Sequence, residues 1–528
     1  MALYDIIIKN GTVFDGKGNK PESVDIGIIG DEIREIGNIE AGEGKSVIDA
    51  SSKYVAPGFI DITNHSDTHW TLFTHPTQES LLRQGITTII GGSCGVSLAP
   101  FLGEEALKDL ERWTDVSEIN INWQTMGEFL DELKNRGQII NFGTLVGLNT
   151  IKKSVSGDDI KNEEIKFLLK SSLEEGAFGV SVNFGSMING QSINNNETLD
   201  IFNLIKKYDS VLKCHLEDEG DNILPAVSHL IDIARMSGVK VHINHFKALG
   251  RSSWNYFQGA IEMIKNAKNE GVKITCDFFP YTKTGSDLIT LLPLWFRKMS
   301  SMEAEKILRE KGGKERESLL ESLRQMTLHF DRIIIASTAT EFGIAGKTVE
   351  QLAALSESSG EEIILRLLET NNLRVSIFNE VIFEENIKTI GKENFSTISS
   401  DGVGYTLTKE NISNKEIRDF PHPRSFGTFP RAINLFVKNE QILKWEELIY
   451  KMSGLPAEIL GIRDRGVIIE GRKADIIIFN PGEISDYSTY DKPYQYSKGV
   501  DYVIVNGVSI IDNDIFTKRS VGKILRKK

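Results

Sequence analysis

The chain is poor in cysteine, and the placement of the few it has excludes a disulfide scaffold. Cys94, Cys214 and Cys276 are spread over 528 residues, an odd number without framework spacing. A reducing cytoplasm is therefore the expected compartment. No uninterrupted apolar run nears the roughly 18 residues of a membrane span, and no basic leader followed by an apolar core opens the sequence. Positive charge is short as well. The 61 basic and 74 acidic residues leave a net charge of −13, which argues against a nucleic-acid partner. There is no convincing repeat or low-complexity tract, and Gly91-Gly92 has no phosphate-loop spacing around it. What is present, 40% hydrophobic and 26% charged residues, suits a soluble globular protein longer than one ordinary domain.

Both ends of the chain read as β-structure. Residues 4–13 alternate and contain Asn10-Gly11, a hairpin signal, and short strands follow to about residue 53. Residues 466–480 and 502–511 are likewise short, β-branched and bounded by turns. Residues 1–56 and 466–517 are therefore expected to build one small β-sandwich domain. Between them, strand-like runs at 87–91, 139–145, 178–182, 211–215, 240–245, 273–279 and 396–401 alternate with helical segments such as 159–175, 222–237 and 253–270. That alternation predicts an α/β fold, a (β/α)8 TIM-like barrel over residues 57–465. Two further apolar runs, 332–337 and 374–378, bring the strand count above eight. At least one of them, with the charged helices of 302–324, is assigned to an insertion around 287–380, before the last barrel strand. Residues 518–528 are basic and expected to fray into solvent.

The chemistry-bearing side chains gather at the C-terminal ends of these strands, where barrel enzymes place their sites. His65 ends the first strand, and Cys94 follows the second in GGSCG. His215 ends the fifth, His245 the sixth, and Asp401 the last in SSDG. Singly, each is ordinary: a strand-end histidine is usually structural, and a lone cysteine is usually a small buried hydrophobe. Together, three imidazoles, a thiol and a carboxylate at one barrel mouth make a set suited to zinc. His75, His229, His242 and His329 read as surface or structural residues, His242 lying on the face opposite His245. Asp67 and His69 are lesser candidates for metal contact. Cys214 should point away from His215, and the acidic residues 217–221 read as a loop leading into a helix N-terminus.

The chain resembles the N-acyl-D-amino-acid deacylases (D-aminoacylases) of the amidohydrolase superfamily over nearly its full length. The resemblance rests on residues 57–61 (PGFID), 92–100 (GSCGVSLAP), 245–250 (HFKALG), 280–286 (PYTKTGS), 422–431 (HPRSFGTFPR) and 466–481. It implies a zinc held tightly by Cys94, His215 and His245, with cysteine in place of the carboxylated lysine or glutamate of other members. His65 matches the second half of a His-x-His pair for a second metal, and Asp401 matches the general acid/base. Lys247, Tyr281, Ser286 and Arg424 match substrate contacts, although the loop before Ser286 is one residue longer here. When bound, such a zinc keeps an open position and lowers a water's pKa toward ~7. Asp401 would accept that water's proton and return it to the leaving nitrogen. His65 would hold the first metal or donate to the oxyanion, and Lys247 and Arg424 would bind a substrate carboxylate.

Three departures stand out. Thr63 occupies the first position of the His-x-His pair, so a second metal loses a ligand. Glu217 stands where the family shows arginine, and the fourth strand runs into Asn183-Phe184-Gly185-Ser186 without a Tyr-Pro element. The implied activity is hydrolysis of a linear N-acyl amide, an N-acyl-D-amino acid giving a carboxylate and a D-amino acid, with the D preference resting on the resemblance alone. Two alternatives stay open: a cyclic amide hydrolase of the hydantoinase or dihydroorotase kind, and a catalytically silent barrel kept for binding. The cysteine ligand and the HPRSFGTFPR segment favour the linear amide. The joint retention of Cys94, His215, His245 and Asp401 weighs against silence. The sequence carries no sign of oligomeric state.

Overall fold

The two β-rich ends of the chain meet in one nine-stranded sheet. This computed structural model describes residues 3–103, 120–155, 162–187, 196–341, 343–408 and 419–528. The ends are joined where Tyr54–Pro57 pairs with Tyr4–Val13 on one side and antiparallel with Ile476–Phe479 on the other. Ile8, Ile26, Ile28, Val55, Ile476 and Ile478 are fully buried between the strands. At roughly 1.5–3 kcal/mol for each buried aliphatic side chain, such a cluster is what holds two distant chain ends together.

Asn10-Gly11 does not make the expected hairpin turn. Asn10 has φ +61° and lies inside Tyr4–Val13, where the register against Glu22–Ile29 shifts between Ile8 and Gly11. The left-handed tolerance of asparagine is used for a bulge, and the chain turns later, between Val13 and Glu22. A Cβ on Gly11 would lie 2.5 Å from Val55 Cγ2, so close packing also requires the glycine.

Eight parallel strands form the barrel: β1 Phe59–Asp61, β2 Ile86–Gly91, β3 Asn141–Thr144 continuing to Val146–Gly147, β4 Gly179–Asn183, β5 Val211–His215, β6 Lys240–Ile243, β7 Ile274–Phe278 and β8 Ser396–Ile398. Neighbours pair in chain order. The ring joins beyond β8, where Asp401 N–H donates to Thr63 O (3.0 Å) and His65 N–H to Gly402 O (2.8 Å). Covering helices follow the apolar spacing. Ile223–Ser237 buries Ile223, Val227, Leu230 and Ala234, and ends at Gly238, which adopts the left-handed conformation (φ +69°).

Both extra apolar runs lie outside the barrel. Lys283–Asp287, Val375–Glu380 and Ile333–Thr338 make a separate three-stranded antiparallel sheet between β7 and β8. It has its own core, including Leu288, Phe296, Leu319, Ile335 and Leu368.

The basic C-terminal segment is docked, not frayed. One edge of β3 is left open by β4, and residues 522–525 fill it: Phe142 N–H donates to Lys523 O (3.0 Å) and Leu525 N–H to Phe142 O (2.7 Å). An open strand edge presents unpaired backbone groups, and this segment satisfies them. Arg526 then pairs with Asp131 (2.7 Å), so the basic residues serve as anchors. No helix among the described residues is long and apolar enough to cross a membrane.

Candidate metal centre and active site

Strand periodicity places the candidate metal-binding side chains. On β5, Lys213 and His215 point into the barrel, while Cys214 points away and is buried, its thiol directed at Leu212 O. Cys94 follows β2 through Gly92, whose φ is +68°, and a Cβ on Gly92 would lie 2.1 Å from Leu145 O. Three non-glycine residues of the site are themselves left-handed: Cys94 (φ +55°), His245 (φ +37°) and Asp401 (φ +48°). Such backbone costs on the order of 1–3 kcal/mol per residue and persists where the surroundings fix it. Here Asp277 holds the His245 amide (2.7 Å), and Thr63 O holds the Asp401 amide (3.0 Å).

Cys94, His215 and His245 offer one ligand atom each, all within 4.8 Å of one another. Cys94 Sγ is 3.3 Å from His245 Nε2, which is 3.1 Å from His215 Nδ1. Zinc–sulfur and zinc–nitrogen bonds of roughly 2.3 and 2.0–2.1 Å put tetrahedral ligands at about these separations, so the donor set fits zinc. Burial pushes the Cys94 thiol up, but His245, His215 and His65 outweigh it and hold the thiol well below its ordinary range, which favours the thiolate. Burial pulls His65 down, yet Asp401 and Cys94 raise it to about 10. A cavity that draws protons onto its imidazoles has the electrostatic character of a cation site.

His65 and Asp401 adjoin this triad. His65 Nε2 lies 3.0 Å from Asp401 Oδ1, and Arg424 donates to Asp401 Oδ2 at 2.6 Å. Burial disfavours the Asp401 carboxylate, but Arg424, His245 and His65 hold it well below the usual carboxylate range. Asp67 and His69 fall outside the ligand triad: Asp67 Oδ2 accepts from the Gly92 amide (2.6 Å), and the His69 ring centroid is 5.9 Å from that of His65.

The expected substrate-contact residues divide. Lys247 reaches the site but is paired, donating to Glu219 at 2.7 Å. Arg424 reaches it, bound to Asp401 and over the Phe279 ring (5.3 Å). Tyr281 is buried with its hydroxyl on Pro423 O (3.3 Å) and its ring under Arg431 (4.7 Å). Ser286 sits on the insertion sheet opposite Ile377. Glu217 pairs with His229 at 3.5 Å and lines a cavity of about 480 Å³ beside Gly185 and Leu294.

Three residues beneath the candidate ligands carry no local sequence signal of a role there. Glu219, inside the acidic run read as a helix approach, is buried and accepts from His245 Nδ1 (3.1 Å), which fixes Nε2 toward the metal position. Asp277 is buried on β7 and gathers His242 Nε2 (2.8 Å), Ser399 Oγ (2.6 Å), Thr63 Oγ1 (2.5 Å) and the His245 amide. His242 is thereby a structural residue. Lys213 is fully buried, its Nζ 2.7 Å from Thr63 Oγ1. Period two from His215 gives only the face of Lys213, and Asp277 stands out only as a mid-strand Asp.

The amidohydrolase family model matches residues 332–511. An N-acyl-D-aspartate deacylase of Alcaligenes xylosoxydans xylosoxydans is 27% identical over 99% of this chain and 95% of its own length. The structure of an N-acyl-D-glutamate deacylase from Bordetella bronchiseptica, complexed with zinc and a phosphonate mimic of the tetrahedral intermediate, shares the fold with a TM-score of 0.81 and 24% identity over all of both chains. A D-aminoacylase structure has a TM-score of 0.80 and 24% identity over 99% of this chain and 100% of its own; its binuclear centre is described by one-metal activation and second-metal attenuation. The chain is thus similar over its full length to N-acyl-D-amino-acid deacylases and shares their fold.

Proposed function

We propose that the chain is a zinc-dependent hydrolase of linear N-acyl amides, converting an N-acyl-D-amino acid to a carboxylate and a D-amino acid. The observation that carries this reading is the convergence of Cys94, His215 and His245 within 4.8 Å, with the His65–Asp401 pair alongside. A zinc ion held there supplies Lewis acidity, activating water and polarising a carbonyl.

Asp401 is the proton carrier in this reading. As a carboxylate it accepts a proton from the attacking water while the water oxygen bonds to the amide carbon. It returns that proton to the nitrogen as the carbon–nitrogen bond breaks, so the amine leaves neutral. His65 holds Asp401 Oδ1 and offers an N–H to the oxygen that gains charge. Arg424 and Lys247 are the cations available to a substrate α-carboxylate; each would exchange or share its present carboxylate partner. Tyr281 supports the wall through Pro423, and Ser286 lies on the insertion sheet. A thiolate ligand requires Cys94 to stay reduced, which fits a cytoplasmic setting.

The test is a panel of N-acetyl amino acids of both configurations, with aspartate, glutamate and neutral side chains, beside hydantoin and dihydroorotate. Faster turnover of D-acetyl compounds than of their L enantiomers supports the reading. Turnover of the cyclic compounds alone contradicts it.

A further inference from the structure

Position 63 does more than lack a ligand. The Thr63 hydroxyl donates its proton to Asp277 Oδ2 (2.5 Å) and accepts from Lys213 Nζ (2.7 Å). A hydroxyl has one proton and two lone pairs, so the oxygen that would face a second metal is already committed on its proton and one lone pair. Lys213 donates a further hydrogen bond to the backbone carbonyl of Ile62. Its side chain is fully buried, and it stands two residues before His215 on β5, on the face that carries the metal ligands. A buried amine is retained where oxygens surround it, and here those oxygens are the Thr63 hydroxyl and the Ile62 carbonyl.

We propose that Lys213 and Thr63 together form a built-in block that keeps this centre mononuclear. The Lys213 amine fills the space beside position 63 and points donors at oxygens that a second ion would need as acceptors. A histidine at position 63 alone is therefore not enough to restore a second site, because the amine remains. This inference rests on the zinc centre proposed above and adds to it a role for a residue outside the ligand set. Its consequence is an enzyme that excess zinc does not slow through a second site at position 63.

The block is tested by counting metal. Wild type, Thr63→His and the double variant Thr63→His/Lys213→Ala are equilibrated with excess zinc, dialysed and analysed for zinc per chain, with circular dichroism as the check of folding. The expected counts are about one, one and two. Two zincs in wild type overturn the proposal, as do two in the single variant, which would show that Lys213 blocks nothing. A folded double variant that stays at one overturns it too. If the double variant does not fold, wild type and the single variant still decide, since a second zinc in either contradicts the block. Wild type that holds no zinc overturns the metal centre itself, and this inference with it.

Discussion

Arg424 and His65 approach Asp401 from opposite sides: Arg424 Nη1 lies 2.6 Å from Oδ2, and His65 Nε2 lies 3.0 Å from Oδ1. The carboxyl between them is held well below its usual range against the pull of burial. A depressed pKa keeps the base ionised above it and loses it only as pH falls through it. The acidic limb of kcat/KM in wild type is therefore not set by Asp401 near neutral pH. In Arg424→Met the largest opposing charge is gone, burial raises the Asp401 pKa, and the acidic limb moves to higher pH. KM rises as well, because a cation for the substrate carboxylate is lost. A pH–rate profile reads both; an unmoved limb with unchanged KM removes Arg424 from the site.

Asp401→Asn keeps the shape of the side chain and abolishes its basicity. Turnover should fall by about 10²–10⁴-fold, the usual worth of a positioned proton carrier, while zinc content stays the same because Asp401 is outside the ligand triad. Full activity would take Asp401 out of the mechanism, and loss of zinc would recast it as a ligand.

Glu219→Gln tests the support under His245. The glutamate accepts from His245 Nδ1 at 3.1 Å and from Lys247 at 2.7 Å. Removing such a partner typically weakens metal binding by about 10–100-fold. Competition against a chelator measures the change. An unchanged zinc affinity would reduce Glu219 to a partner of Lys247.

The docked C-terminal segment gives a stability prediction. Deleting residues 519–528 removes the bonds to Phe142 O and from Phe142 N–H and the Arg526–Asp131 pair. Buried backbone groups left unpaired cost on the order of 1–3 kcal/mol each, so thermal unfolding should begin several degrees lower. Activity at low temperature should persist, because the segment lies under the N-terminal end of β3, away from the ligands. A loss of activity with unchanged melting would contradict this placement.

The residues legible in the sequence were those whose position follows from strand ends and local motifs. His65, Cys94, His215, His245 and Asp401 each close a strand or follow one, and the described structure brings all five to one mouth. Residues acting through long-range contacts were not legible. Lys213 meets Thr63 from 150 positions away, and Asp277 meets it from 214; nothing local in either segment marks that meeting. Asn10-Gly11 misled for the opposite reason: the local signal is real, but a bulge and a hairpin turn use the same left-handed residue. The charge of the tail does not mark exposure, because an open edge on β3 recruits its backbone.

The central claim is one zinc held by Cys94, His215 and His245. Elemental analysis of purified, dialysed protein, with Cys94→Ser alongside, tests it most directly. The account predicts close to one zinc per chain in wild type and loss of tightly bound zinc in the variant, since the thiolate is one of three ligands. Wild type without zinc, or Cys94→Ser that retains it with undiminished affinity, would contradict the account.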